Sequence, residues 1–179
     1  MDALDIGCYW YNRTTMDKFK VYFRGLSLTL LCLASFSLVA EESLPAVEII
    51  ALRDFEQLSK QAEEKKKIIM IEVAAASCSY CQILEEAIIK PMLRSGDYDA
   101  DVFIRKIDIE GFSRLRDFDG NSVSAAQLAD KWGVDLTPTL IFLNGQNQEV
   151  SERIVGVNSL DYFGGLVDDA IEHGLATIR

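Results

Sequence analysis

Histidine is nearly missing from this chain: His173, close to the C-terminus, is the only one. Tetrahedral zinc takes four protein ligands, or three and a water, so no metal centre is expected. Cysteine is also scarce. Of four, Cys8 and Cys32 lie in an N-terminal stretch that reads as a targeting segment, which leaves Cys78 and Cys81 to the rest. Two thiols cannot build a disulfide scaffold. Positive charge is in short supply, with 18 Lys and Arg against 28 Asp and Glu and a formal net charge of −10. Residues 1–40 carry four basic and three acidic side chains, so the remainder holds −11. No basic patch tracks a phosphate backbone, which argues against nucleic acid as a partner. The acidic balance favours solubility. Internal repeats and low-complexity stretches are absent.

The N-terminal stretch has the layout of a secretory signal peptide. Lys18, Lys20 and Arg24 form a positive region, Gly25 to Val39 an apolar one, and Ala40 is the expected last residue before cleavage. The apolar run is short of the roughly 20 residues a membrane span needs, although an uncleaved anchor over residues 25–40 is the alternative. Asp2 and Asp5 do not suit such a leader, so Met16 is a candidate start. The expected organisation is a signal peptide over 1–40 and one domain over 41–179. About 139 residues suffice for one core.

The order of elements follows from periodicity and punctuation. Val47 to Ala51 reads as a short strand. Asp54 to Lys66 reads as a helix that Asp54 caps. Ile68 to Val73 is an apolar strand. Ser79 to about Leu93 is a helix in which Pro91 makes a kink or starts a second segment. Val102 to Ile109 is a strand, and Phe112 to Val123 a loop or small hairpin. Ser124 to Trp132 is a helix with a Ser124/Gln127 capping box. Thr139 to Leu143 and Val150 to Val155 are strands joined at Asn144-Gly145, a hairpin signal. Ser159 to about His173 closes the chain as a helix. This alternation implies an α/β fold, a central mixed sheet with helices on both faces.

Cys78-Ser79-Tyr80-Cys81 falls where a buried strand hands over to a helix. A thiol at a helix N-terminus faces unpaired N–H groups and the positive end of the dipole, which favour the thiolate. The thiolate is the species that attacks disulfides. Cys78, nearest the helix end, is therefore the expected nucleophile. Cys81, one turn in, is suited to resolve the mixed disulfide. A permanent cross-link is a poor alternative, because closing so small a ring removes little unfolded-state entropy. Glu72 sits in the preceding strand. Alternation puts it on the side of Ile68 and Met70, so it is expected to be buried with a raised pKa. There it could take the proton of Cys81 as that thiol attacks. Ser79 and Tyr80 line the surface around the pair. Trp132 is expected in the core.

With Cys78-Ser79-Tyr80-Cys81 after a buried strand, Glu72 within it, Thr137-Pro138 before the next-to-last strand and Gly156 after the last, residues 47 to 175 resemble the thioredoxin superfamily. Asp108 to Asp119, and Lys131-Trp132-Gly133-Val134 running into Thr137-Pro138-Thr139, look most like exported proteins of the SoxW type. The CxYC pattern with a Thr-Pro loop is also similar to periplasmic proteins of the DsbC kind. Departures are Ser77 before the first cysteine, Ser79-Tyr80 between the two, and Glu where Asp is familiar. The resemblance implies a thioredoxin-like fold and a cis peptide at Thr137-Pro138, packed against the pair and open to an extended client.

The resemblance implies an exported thiol–disulfide oxidoreductase that needs no cofactor. It would be a monomer that reduces client proteins and is recharged by a membrane electron donor. The alternatives are a redox sensor or assembly chaperone on the same fold, or an oxidase of the DsbA kind.

Overall fold

In the computed structural model, residues 46–179 are described; the expectations for a signal peptide, a Met16 start and an anchor lie outside them. Among them the first helix, α1 (Phe55–Lys65), starts at Asp54, whose carboxylate accepts the Gln57 N–H at 2.8 Å. It stops at Lys66 in a left-handed conformation. The strand β1 (Ile68–Ala74) is buried at every residue. A run of α2 (Ser79–Leu84), a π turn (Glu85–Ile89) and α3 (Lys90–Ser95) follows, then β2 (Val102–Asp108). A hairpin of β3 (Arg114–Arg116) and β4 (Ser122–Ser124) leads into α4 (Ala125–Lys131). The chain ends with β5 (Thr139–Leu143), β6 (Ile154–Val155) and α5 (Leu160–Ile178).

The main sheet has the order β2-β1-β5-β6. β1 runs parallel to β2 and antiparallel to β5, and β6 is antiparallel to β5. A strand covered on both faces is apolar throughout rather than alternating, and β1 shows why. Ile69, Ile71 and Val73 join Phe55, Leu58, Leu128 and Ile141 on one face. Ile68 and Met70 join Leu84, Ile89, Met92, Phe142 and Phe163 on the other. Each Ile or Leu buried in this way contributes roughly 1.5–3 kcal/mol. The expected mixed sheet with helices on both faces is the observed fold.

Three elements differ from expectation. Val47 to Ala51 is not a strand. It makes one parallel bridge, Ala51 to Lys106, through the Leu52 N–H and the Ile50 carbonyl. The last strand shrinks to Ile154–Val155, because between the Leu143–Glu149 bridge and the Leu140–Ile154 pair four residues, 150–153, lie opposite only two, Ile141 and Phe142, and this bulge breaks the ladder. Asn144 rather than an Asn-Gly turn organises the hairpin. Its side-chain oxygen accepts the N–H groups of Gln146 and Gln148, and Asn147 takes the left-handed position at φ 59°. Gly145 is there for close approach instead. A Cβ at that position would come within 2.7 Å of the Ser59 carbonyl oxygen of α1. The helix after the cysteines passes through the π turn, and Pro91 follows just after it, near the start of α3. Cys81, Leu84, Ile89 and Met92 are buried along this run. The step of five from Leu84 to Ile89 is the extra residue of the π turn.

Candidate functional site

β1 ends at Ala74 and the chain turns through residues 75–77 into α2. Cys78 is the N-cap of that helix. Its Sγ accepts the Cys81 N–H at 3.1 Å, the place a serine or aspartate oxygen takes in an ordinary cap. Cys78 and Cys81 are disulfide-bonded, with Cα atoms 5.3 Å apart. Cys78 is partly exposed, whereas Cys81 is 1% exposed. Of the two sulfurs, Cys78 is therefore the one open to the surface. Ser79 and Tyr80 lie at the surface, Tyr80 more than half exposed.

Glu72 is completely buried, and neither carboxylate oxygen has a hydrogen-bond partner. Burial pushes its pKa up to about 8, with help from the like charge of Glu85 and against the pull of Lys106. Lys106 is its register partner across the β1–β2 ladder. Yet the ammonium group is paired with Glu85 at the start of the π turn. Glu85 stands four residues after Cys81, on the same side of the helix. Three ionisable side chains from three elements thus act on one another, and the most deeply buried of them is left without a hydrogen-bond partner.

Thr137-Pro138 is a cis peptide. Thr139 lies opposite Val73 in the antiparallel ladder, which puts Thr137 and Pro138 at the same end of the sheet as the 75–78 turn. Pro138 is buried and Thr137 half-buried. The Pro138 carbonyl accepts the Gly156 N–H at 2.8 Å, and Gly156 has a φ of 69°. Gly156, which follows the last strand, is thus tied to the proline. Leu136, just before, is more than half exposed. Trp132 is half-buried, edge-on to Phe55 at 5.6 Å between ring centroids, and its Nε1–H reaches Asn147 at 3.1 Å.

Sequence reasoning missed Lys106, Glu85 and Glu110. Lys106 was visible only as a cation in a strand and Glu85 as an acid at i+4 from Cys81; neither says what faces it. Glu110 accepts the N–H of Ser77 at 2.8 Å and its hydroxyl at 2.7 Å. These bonds, the hydroxyl foremost, hold the Glu110 carboxyl below the usual range. Among the described residues no group of three or more His, Cys, Asp or Glu side chains could hold a metal ion.

Comparison with known proteins agrees with this geometry. A family model described as a thioredoxin-like domain matches residues 55–171. No curated protein matches the chain. Thioredoxin NaTrxh from Nicotiana alata is 23% identical, covering 70% of this chain and 97% of its own, at a TM-score of 0.47. Thioredoxin O2 from Arabidopsis thaliana, in its oxidised state, is 20% identical over 71% of this chain and 97% of its own, at 0.48. A structure titled DsbH oxidoreductase is 11% identical, covers 74% of this chain and 95% of its own, and has a TM-score of 0.54. At 11% identity the last of these likenesses speaks for the fold alone.

Proposed function

The chain belongs to the thioredoxin-like domain family, and from that premise we propose that it is an exported thiol–disulfide oxidoreductase which reduces disulfides in other proteins. The observation that carries this reading is the unequal placing of two bonded sulfurs: one at a helix N-cap and accessible, the other buried a turn further in. That inequality assigns the steps.

In the reduced protein the Cys78 thiolate attacks one sulfur of a client disulfide. A mixed disulfide forms and one client thiolate leaves. Cys81 then gives up its proton, attacks Cys78 Sγ and expels the second client thiolate. The client gains two electrons, and this chain is left with the Cys78–Cys81 disulfide. Glu72 is the acceptor of the Cys81 proton. With a pKa of about 8 it can exchange a proton near neutral pH, and the side of β1 it occupies is the side on which α2 buries Leu84. Ser79, Tyr80, Thr137 and Pro138 form the client-docking surface, supported by their common position at one end of the sheet.

Export rests on the signal-peptide pattern of residues 18–40. The order of residues 108–119 and 131–139 supports the SoxW type within the family. Among the described residues no helix is long and apolar enough to cross a membrane. A monomer recharged by a membrane-held dithiol completes the cycle. The test is turnover of insulin disulfides with dithiothreitol as donor. Catalysis is expected. A pair that cycles between dithiol and disulfide without accelerating insulin reduction would favour a redox sensor. A strongly oxidising potential against glutathione would favour an oxidase.

A further inference from the structure

We propose that Glu110 is a positioning residue for the redox pair: it clamps the turn that carries Cys78 and fixes a negative charge one residue away from the nucleophile. This rests on the oxidoreductase reading above and adds a way of setting its potential. The bonds to Ser77 join residues 33 apart in sequence and use both carboxylate oxygens, one on the main chain and one on the hydroxyl. The loop that presents Glu110 is itself fixed. The Ile109 N–H bonds the Ala74 carbonyl at 2.9 Å, one step beyond the β1–β2 ladder. Asp108 Oδ1 accepts the Glu110 N–H, and the Asp108 carbonyl accepts the Gly111 N–H, both at 3.0 Å. A Cβ at Gly111 would meet that same carbonyl oxygen at 3.0 Å, so the turn is tight enough to favour glycine. The β1 and β2 ends are therefore tied twice, and the second tie lands on the residue before Cys78.

A surface carboxylate with no structural duty would be free to move. This one is aimed by two donors at a single turn. Its charge opposes the helix dipole that favours the Cys78 thiolate. The other ionisable groups on the elements that flank the pair are Asp108 on the same loop, Glu72 on β1, Lys106 on β2 and Glu85 at the end of α2, where Lys106 and Glu85 offset each other. With the thiolate made less stable, the dithiol gives up electrons more readily, which is the direction a reductase needs.

The experiment compares the whole chain with Glu110→Gln and Ser77→Ala. Two quantities are read: the pH midpoint of Cys78 alkylation in the reduced protein, and the equilibrium with glutathione above that midpoint. Glu110→Gln keeps an oxygen for Ser77 and removes the charge. It should lower the midpoint and shift the equilibrium about threefold to tenfold towards the dithiol, about 14 to 30 mV for this two-electron couple. Ser77→Ala keeps the charge and loses the hydroxyl bond, so it should move both less. An unchanged midpoint and equilibrium in Glu110→Gln, with or without a lower melting temperature, overturns this inference alone. A wild-type pair that does not exchange with glutathione overturns the oxidoreductase reading and this inference with it.

Discussion

Among the described residues two carboxylates are buried, and they are treated in opposite ways. Asp117 is 1% exposed, but its oxygens accept the N–H groups of Asp119 and Asn121 and the ammonium of Lys131, the last at 2.5 Å. Those partners, Lys131 foremost, keep its pKa below the usual range. Glu72 is as deeply buried and has no hydrogen-bond partner, so its pKa rises to about 8. The first acid holds together the hairpin before α4. The second sits in the strand that leads to the cysteines and gains nothing for stability by being charged. A buried carboxylate costs free energy when it is left unpaired, a cost that the proton-acceptor role proposed for Glu72 would account for.

The signs of the two pH dependences follow. Glu72 binds its proton more tightly folded than unfolded, so its contribution to stability is fully present below pH 4.5. It is lost as pH rises to about 8, at about 1.4 kcal/mol per pH unit. Asp117 works the other way. Its contribution is present above its unfolded pKa of 3.8 and is lost as pH falls through the lower folded value.

The largest expected effect tests whether the comparison concerns function at all. Cys78→Ser should abolish insulin reduction, and Cys81→Ser should accumulate mixed disulfides with clients, visible on non-reducing gels. Alkylation of the reduced protein at mildly acidic pH that labels Cys81 first would reverse the two roles. Next, Glu72→Gln should slow the resolving step by about a hundredfold, the lower range for a lost proton acceptor, and spare the first attack. It should also flatten the decline in stability between pH 4.5 and 8. Stopped-flow kinetics with urea melts at several pH values reads both, and equal slowing of attack and resolution removes the proton-acceptor role. Asp117→Asn should lower the melting temperature by several degrees, because it breaks charged hydrogen bonds, and leave insulin reduction close to wild type. A loss of activity there would erase the contrast. The smallest effects come from the neighbours of Glu72. Lys106→Met should raise its pKa and Glu85→Gln should lower it, each by about one unit. The upper end of the stability decline would move with it, up for the first and down for the second.

The sequence carried some of this and not the rest, for identifiable reasons. The caps at Asp54 and Ser124, the cysteines at a strand-to-helix junction and the inward side of Glu72 are local facts. Each is written within a few residues, by composition or by alternation along one strand. The cis peptide at Thr137-Pro138 came from resemblance rather than from spacing. What was not legible is what only register brings together. Lys106 faces Glu72 through the β1–β2 ladder, yet its charge goes to Glu85 on another element. Ser77 meets Glu110 across 33 residues. The shortened last strand is a matter of register too, with two extra residues between Glu149 and Ile154 breaking the ladder to β5. The Asn144 side chain, through its bonds to Gln146 and Gln148, set the hairpin where a two-residue turn was expected.

The π turn at Glu85–Ile89 works like a phase joint in a camshaft. One α-helical residue is worth about 100° of rotation. The extra residue turns the half that bears Cys81 and Glu85 by that angle relative to the half that bears Met92. Upstream the helix is timed to β1 and the redox pair, and downstream it is timed to the core, so neither half dictates the bearing of the other. Removing a single residue between Glu85 and Ile89 would couple the two again. Either Glu85 would swing away from Lys106, or Ile89 and Met92 would leave the core.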